Sequence, residues 1–258
     1  PRATASPDWT DPDVAADPRH RKLTPRLALS HRTGFPNWRY QDGGTLRFRG
    51  EPGAAYGYSG EGFEYASRFA GRKLGEPLDS LAQRHVFGPL GMTSTSFTRR
   101  DWFAGRVALP LGPDGGYGEP SVQRTANAAD DLYTTVGDYA AFLVGVMNRD
   151  GLPEAYARQR DSIHVIDAGE GSACDPARVA RCPERIGYGL GWSVMEYADE
   201  TVLWHTGSDR GEKAMVFYVP ERREGAVLLT NGADGFQVIL EAAVLLARGT
   251  DFAEYLRS

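Results

Sequence analysis

The hydrophobic pattern of the sequence changes at Gly187, and this change constrains the fold more than any other feature. Before that point apolar residues recur mainly at helical spacing, whereas beyond it they form short β-rich runs separated by turn residues. These runs cover 190–196, 202–205, 215–219 and 226–230. The spacing predicts an antiparallel meander, and we therefore expect an α/β (α+β) architecture with a helical lobe packed on an antiparallel sheet.

A terminal helix is predicted over 236–248, and its apolar residues cover most of its circumference. One face of a sheet can cover only one side of such a helix. The sequence therefore predicts that a further segment packs on the outer side, although no other helix near it in the sequence is an obvious candidate.

The chain divides into three predicted regions that together form one composite fold. Residues 1–23 are rich in Pro, Asp and Ala and predict an irregular lead-in, residues 24–186 predict a mainly helical lobe, and residues 187–258 predict the sheet and its terminal helix. Within the lobe, Thr24 before Pro25 predicts a helix start, and a further helix is expected over 78–86. Thr135 and Asp138 predict a capping box in its Asp form.

The composition and the residue spacing exclude several classes of protein. With 29 basic and 34 acidic side chains, the formal charge of −5 argues against nucleic acid as a partner. No apolar run in the sequence approaches the roughly 20 residues needed to cross a bilayer, so we expect no membrane span. The sequence has no His or Cys spacing typical of a metal site, and we expect no metal ligands.

Two cysteines, Cys174 and Cys182, lie in one short stretch. A disulfide that closes a short loop suits this spacing, and it would place the protein in an oxidising compartment, either periplasmic or secreted. Two free thiols in a cytoplasmic protein remain the alternative.

Three segments in a fixed order carry the clearest functional signal. Residues 29–38 are Leu-Ser-His-Arg-Thr-Gly-Phe-Pro-Asn-Trp, residues 57–63 are Gly-Tyr-Ser-Gly-Glu-Gly-Phe, and residues 204–208 are Trp-His-Thr-Gly-Ser. In that order they resemble the Leu-Ser-His-Thr-Ser-Gly-Leu-Pro stretch, the Tyr-Ser-Asn loop and the Lys-Thr-Gly strand of the serine β-lactamase-like, penicillin-binding-protein-like family. That family includes class C β-lactamases, DD-peptidases and family VIII esterases. Further landmarks at 89–92, 131–135 and 187–192 follow the family's order, and the resemblance covers roughly residues 20–248.

The nucleophile of that family is not found in these residues. In relatives a Ser-x-x-Lys pair opens a helix, and the serine attacks the acyl carbon of the substrate. No serine lies three positions before a lysine here (Arg19 precedes Lys22, Ala70 precedes Lys73 and Arg210 precedes Lys213). The family places the pair upstream of the Leu-Ser-His stretch. We therefore expect it, together with the first strands and a helix of the fold, on an N-terminal segment or on a separate fragment that acts as a partner.

The resemblance implies roles for particular residues. Tyr58 is the expected proton acceptor for the serine hydroxyl or donor to the leaving group, and it needs nearby cations because a free tyrosine has a pKa near 10. His205 is a candidate cation or hydrogen-bond donor, so activity should depend on pH at about 6 to 7. The backbone N–H of Ser208 is the expected second oxyanion donor. The expected substrate-binding residues are Gly60, Thr206 and Gly207.

Two further expectations concern Gly60 and His31. Gly60 stands where relatives usually carry an Asn that holds a substrate amide, which favours esters or unusual amides over efficient β-lactam turnover. We expect His31 to be structural, with its ring satisfied by local backbone.

The resemblance implies a serine hydrolase that forms an acyl-enzyme with a small-molecule or peptide ester, amide or β-lactam, without a metal or organic cofactor. The alternative is a catalytically inactive module that binds such ligands. An α/β-hydrolase fits poorly, because the Gly-x-Ser-x-Gly motif fails at Glu61 and no buried strand precedes it. Taken alone, Tyr58 in a Gly-rich loop would more often be a packing residue, and the ordered co-occurrence of the motifs is what favours the functional interpretation.

Overall fold

A six-stranded antiparallel sheet lies at the centre of the structure, a computed structural model that describes residues 10–167, 174–175, 177, 181–209 and 211–257. Its strands are β1 (Val165–Ile166), β2 (Arg185–Tyr188), β3 (Ser193–Glu196), β4 (Thr201–Ser208), β5 (Lys213–Val219) and β6 (Glu224–Thr230). Each strand pairs antiparallel with the next in chain order. The predicted meander and the α/β (α+β) architecture are confirmed.

The helices are α1 (Pro25–Leu29), α2 (Gly60–Leu74), α3 (Leu78–Ala82), α4 (Val136–Asn148), α5 (Glu154–Arg160), α6 (Gly235–Leu246) and α7 (Asp251–Leu256). Thr24 caps α1 as predicted, because its hydroxyl accepts a hydrogen bond from the N–H of Leu27. Thr135 likewise caps α4 through the N–H of Asp138. The carboxylate of Asp138, however, accepts from the N–H of Ser94 at 2.7 Å, so half of the predicted capping box anchors a neighbouring loop instead.

Helices pack on both faces of the sheet, and the alternation along β4 shows which side chains face which layer. Val202 lies in a buried cluster with Ile239 of α6. Leu203 points to the opposite face, into a cluster with Leu143 of α4. Since side chains alternate along a strand, His205 lies on the same face as Leu203, towards the helical lobe.

The sheet begins earlier in the chain than the sequence indicated. β1 and β2 both start before residue 187 and pair through Val165 and Tyr188, but β1 has only two residues and gives no periodic signal. The lead-in contains two 3-10 turns, Pro12–Val14 and Pro18–Lys22, and residues 1–9 lie outside the described residues. The division of the chain into three regions stays a prediction.

The helix predicted over 78–86 changes its geometry midway. α3 ends at Ala82, and the chain continues as a π turn, Gln83–Phe87, in which the N–H of Gly88 donates to the carbonyl of Gln83 at 2.8 Å. Such a turn holds one more residue than an α-helical turn. It places Val86 on the wall of a cleft between the helical lobe and the sheet.

Helix α6 is covered on one side by the described residues. Ile239 and Ala243 are buried against the sheet, whereas Val238, Leu245 and Leu246 each keep more than half of their surface exposed. The helix packs beside β6, the last strand of the sheet. The apolar outer side that the sequence indicated is therefore present, and the segment expected to cover it remains a prediction.

Arg39 ties the lead-in to the start of α2. Its guanidinium lies 2.8 Å from the buried carboxylate of Glu61 and 3.0 Å from that of Asp11. The hydrogen bond with Glu61, and then that with Asp11, raises the pKa of Arg39 further above its usual value, so the cation is permanent. This cluster fixes the first turn of the helix that follows Tyr58.

Cys174 and Cys182 form a disulfide, with their Cα atoms 5.7 Å apart, as the sequence analysis favoured. Among the residues that the structure describes, no helix combines the length and the apolar character needed to cross a lipid bilayer.

Candidate active site

Tyr58 lies directly before helix α2, in a loop whose geometry depends on Ser59. The Ser59 hydroxyl accepts a hydrogen bond from the N–H of Gly62 (3.0 Å) and donates to the carbonyl of Pro36 (2.8 Å). It therefore caps the helix and joins it to a second loop. Tyr58 keeps 46% of its surface exposed, and its ring lies on the ring of His31 at a centroid distance of 4.1 Å. The capped start of α2 thus presents the tyrosine at a defined position.

His31 is buried beneath Tyr58. Its Nδ1 accepts a hydrogen bond from the N–H of Ser59 (3.0 Å), so the neutral ring carries its proton on Nε2. That Nε2 is buried and has no hydrogen-bond partner within the described part of the chain. Burial, and then repulsion by His205, lowers the pKa of His31 to about 3. The expectation that local backbone satisfies the ring is wrong, because the partner of Nδ1 comes from another loop and Nε2 is unpaired there.

His205 lies where β4 continues past β3, since β3 pairs with residues 201–204 and residues 205–208 pair with β5. Its Nδ1 is 2.7 Å from the carbonyl oxygen of Thr206, and its Nε2 is 2.8 Å from the hydroxyl of Tyr188. Burial lowers the pKa of His205. The structure therefore favours a neutral ring with two hydrogen-bond partners.

The backbone amide of Ser208 points to the open edge of β4. The N–H of Asp209 donates to the carbonyl of Glu212 (3.0 Å), which makes these two residues a hydrogen-bonded pair of the β4–β5 hairpin. Such pairs alternate with pairs whose N–H groups point outward, so the N–H groups of Ser208 and Thr206 face away from β5. The carbonyl of Thr206 has the same direction, because it accepts from His205. An oxyanion at this edge could accept from Ser208, and that role stays a prediction.

The predicted substrate-binding residues lie in two places. Thr206 and Gly207 are exposed on β4, beside Ser208. Gly60 is buried as the first residue of α2, where a Cβ would lie 2.7 to 3.0 Å from three ring carbons of Trp38. The indole therefore occupies the space that an Asn side chain would need. Gly60 has a packing reason of its own, and its role in binding stays a prediction.

A cleft of about 640 Å³ opens beside Tyr58 and His205, between the helical lobe and the sheet. Its walls are mainly apolar and come from several elements (Phe63, Val86, Leu90, Phe142 and Trp192). His31 also reaches this space. A volume of this size lies within the roughly 300–1,000 Å³ typical of ligand sites.

Tyr188 lies in the landmark at 187–192, to which no role was assigned from the sequence, and the structure places it at the site. It is 1% exposed, its ring lies 4.4 Å from that of His31, and its hydroxyl is hydrogen-bonded to His205. A Cβ at Gly187 or Gly189 would collide with a backbone carbonyl oxygen of a neighbouring segment. Two glycines in close contact that bracket one aromatic residue are the signal that could have identified it.

Carboxylates lie near the same mouth of the cleft. Burial, and then repulsion by Asp130, Asp209 and Glu64, raises the pKa of Asp131 to about 6. Burial and the charge of Asp130 also raise the pKa of Tyr58. These groups keep the tyrosine protonated and would attract a cation. Within the described ranges, no three His, Cys, Asp or Glu side chains gather in an arrangement that could hold a metal ion.

The sequence and the fold are similar to those of known hydrolases. A family model described as Beta-lactamase matches residues 8–249. The unguisins hydrolase of Aspergillus violaceofuscus is 28% identical over 241 residues, which cover 79% of this chain and 42% of that protein. Lovastatin esterase from Penicillium rubens is 28% identical over 249 residues, which cover 74% of this chain and 60% of that protein.

Solved structures show the same fold. The penicillin binding protein from Bacillus halodurans superposes with a TM-score of 0.70 at 19% identity, over 93% of this chain and 77% of that chain. The chain therefore spans most of a known architecture, but it spans only 42% and 60% of the two curated relatives.

Proposed function

Because this chain belongs to the β-lactamase family, we propose that it is the C-terminal part of a serine hydrolase that forms an acyl-enzyme with an ester, an amide or a β-lactam. The nucleophile, a Ser-x-x-Lys pair, would lie on a segment upstream of Pro1 or on a companion chain. The observation that carries the proposal is the mouth of the cleft, where Tyr58, His205 and the open edge of β4 meet an apolar space between lobe and sheet.

The position of the cleft suits a helical segment. The cleft lies between the helical lobe and the sheet, open at the mouth where Tyr58 and His205 lie. The apolar walls suit the buried side of such a helix, and the buried Nε2–H of His31 needs an acceptor that a hydroxyl or carbonyl of the segment would supply.

A second surface supports a longer upstream segment. The outer side of α6 exposes Val238, Leu245 and Leu246, and β6 beside it is the last strand of the described sheet. Apolar helix faces and strand edges of this kind are usually covered in a folded protein. The two curated relatives are also longer than this chain, which agrees with additional structure outside it.

In the proposed reaction the serine oxygen adds to the acyl carbon while its proton passes to Tyr58 or to the lysine. The N–H of Ser208 and that of the serine would stabilise the oxyanion. Collapse of the intermediate breaks the bond to the alcohol or amine, which leaves with the proton, and water then releases the acid and restores the serine. The lysine supplies the cation that Tyr58 requires, since burial and Asp130 raise the pKa of the tyrosine.

The first turn of α2 bears on the substrate class. Trp38 fills the space next to Gly60, so no side chain there can hold a substrate amide as Asn does in relatives. This supports esters or unusual amides over efficient β-lactam turnover. The disulfide between Cys174 and Cys182 supports a periplasmic or secreted location, because such bonds persist in oxidising compartments.

The test compares this chain with the same chain extended by the residues encoded upstream of Pro1. Both are treated with a fluorophosphonate and examined by intact-mass spectrometry, with a search for any co-purifying fragment. We expect an adduct on the serine of a Ser-x-x-Lys pair in the added segment or fragment, and none on the 258-residue chain. Tyr58→Phe should slow labelling by about 10²- to 10⁴-fold. Tyr56→Phe, which removes a hydroxyl from the same aromatic cluster, should label like the parent.

Other outcomes would contradict the proposal. An adduct on the 258-residue chain alone would show that the nucleophile lies within it. No adduct on the extended protein, combined with measurable binding of an ester or a penicillin by calorimetry, would identify the chain as an inactive binding module.

A further inference from the structure

Tyr188 and His205 share a hydrogen bond that the proposed chemistry does not use. The Tyr188 hydroxyl is 2.8 Å from Nε2 of His205, and Nδ1 of the same ring is 2.7 Å from the carbonyl oxygen of Thr206. We propose that Tyr188 is a positioning residue that donates its hydroxyl proton to Nε2 of His205, which Thr206 holds in the Nδ1–H tautomer, and so keeps the Nε2 lone pair from Tyr58. The effect on catalysis rests on the proposed function, whereas the tautomer itself does not.

The direction of both hydrogen bonds follows from Thr206. A carbonyl oxygen has no proton to give, so Nδ1 of His205 must donate, and the neutral ring then has only Nε2 as an acceptor. Tyr188 is consequently the donor of the second bond. Burial lowers the pKa of His205, which favours the neutral ring that this arrangement requires. Histidine in water favours the opposite tautomer, so the protein has to impose this one.

Tyr188 is held rigidly at its hydrogen bond to His205. Its side chain is 1% exposed, and its ring lies 4.4 Å from that of His31 and 5.9 Å from that of Tyr56. Gly187 and Gly189 bring the backbone on either side of it against neighbouring segments, where a Cβ would collide with carbonyl oxygens. The hydroxyl therefore approaches His205 from a fixed direction. Residues that support a functional site need such a fixed position.

The consequence concerns Tyr58, whose ring lies 6.3 Å from that of His205. A neutral histidine with a free Nε2 lone pair would act as a base beside a tyrosine that has to pass a proton to the reacting groups. Both ring nitrogens of His205 already have hydrogen-bond partners, so His205 does not take the hydroxyl proton of Tyr58. That proton stays available for transfer to the reacting groups. Tyr188 therefore acts through His205 on which groups of the site can accept a proton.

The tautomer can be measured on the 258-residue chain by nitrogen-15 NMR of histidine side chains at about pH 8, where ordinary imidazoles are neutral. The protein has five histidines, and the signal of His205 is assigned by its loss in His205→Gln. We expect His205 to carry its proton on Nδ1 and His31 to carry it on Nε2, since Nδ1 of His31 accepts from Ser59. His31, which should carry its proton on the other ring nitrogen, is thus an internal reference in the same spectrum.

Two substitutions test the role of Tyr188. Tyr188→Phe should leave the Nδ1–H tautomer in place and move the Nε2 resonance of His205 towards that of a free lone pair, while Tyr56→Phe, the same change in the same aromatic cluster, should leave that resonance unchanged. An unchanged His31 signal shows that the fold is intact. If Tyr188→Phe fails to fold, 3-fluorotyrosine at 188 strengthens the donor without a cavity and should move the Nε2 resonance of His205.

An Nε2–H tautomer of His205 in the unaltered protein would overturn the proposal. So would a folded Tyr188→Phe whose His205 Nε2 resonance matches that of the parent, or a fluorinated Tyr188 that leaves the Nε2 resonance where it was. Because none of these measurements needs the nucleophile, their failure is distinct from a failure of the labelling test.

Discussion

Substituting Gly60 by Ala should destabilise the protein through its contact with Trp38. The added Cβ would lie 2.7 to 3.0 Å from three indole carbons, whereas ordinary carbon contacts are about 3.5–4.0 Å, so a shift of close to 1 Å is needed. The backbone cannot simply retreat, because the N–H of Gly60 donates to Asn37 at 2.9 Å. Overpacking of this kind costs about 1–3 kcal/mol, which exceeds the 0.5–1 kcal/mol or so that Ala gains over Gly in a helix.

The assay is urea unfolding followed by far-ultraviolet circular dichroism, with a double-mutant cycle. Gly137→Ala is the matched control, since Gly137 is also near the start of a helix and its Cβ would meet nothing closer than 3.9 Å. In a Trp38→Ala background, Gly60→Ala should become neutral, which gives a coupling energy of about 1 kcal/mol or more. The reasoning is refuted if Gly60→Ala is as stable as Gly137→Ala in the unaltered background.

Acid should destabilise the native state through His31, because its pKa falls to about 3 on folding from an ordinary value of 6.5. The unfolded chain binds the extra proton between those values, so the free energy of unfolding falls by up to about 1.4 kcal/mol for each pH unit on acidification. His31→Asn should therefore show a shallower slope in urea titrations from about pH 6 to 4, and equal slopes would exclude this residue as the cause. Arg39→Ala should cost about 3 kcal/mol because it leaves buried carboxylates without their cation, whereas Lys22→Ala, which removes an exposed ion pair, should cost less than about 1 kcal/mol by the same unfolding assay. Denatured protein from an oxidising compartment should show no thiol to Ellman's reagent before reduction and the thiols of Cys174 and Cys182 after it, and thiols present from the start would count against the disulfide.

Local signals in the sequence were enough for most of the elements. Thr24 and Thr135 were placed at helix starts by their capping chemistry, which depends on the next three residues alone. The strands after Gly187 were visible as short β-rich runs bounded by turn residues, and β5 is almost continuously buried because helices pack on both faces of the sheet. β1 escaped notice because two residues carry no period, and its place in the sheet is set by its partner β2.

The site was predictable only in part. Tyr58 and His205 were found through their motifs, and the structure brings their rings within 6.3 Å. The contacts that set their chemistry join residues far apart in the chain, as with Tyr188 and His205, and no local pattern encodes such a hydrogen bond. The same is true of Trp38. Its ring fills the space beside Gly60, and this contact is the reason that a residue without a Cβ is needed there. Burial, which sets the protonation of both histidines, likewise becomes visible only when the layers are assembled.

The π turn at Gln83–Phe87 is a place where a single deletion could change the shape of the cleft. Loss of one codon there would return the segment to an α-helical register, which turns the following residues by about 100° and moves them by about 1.5 Å. Val86 and Leu90 would then leave the wall of the cleft, while the strands that carry His205 would keep their pairing. A lineage could in this way alter what fits the cleft by a single deletion, with the residues at its mouth unchanged.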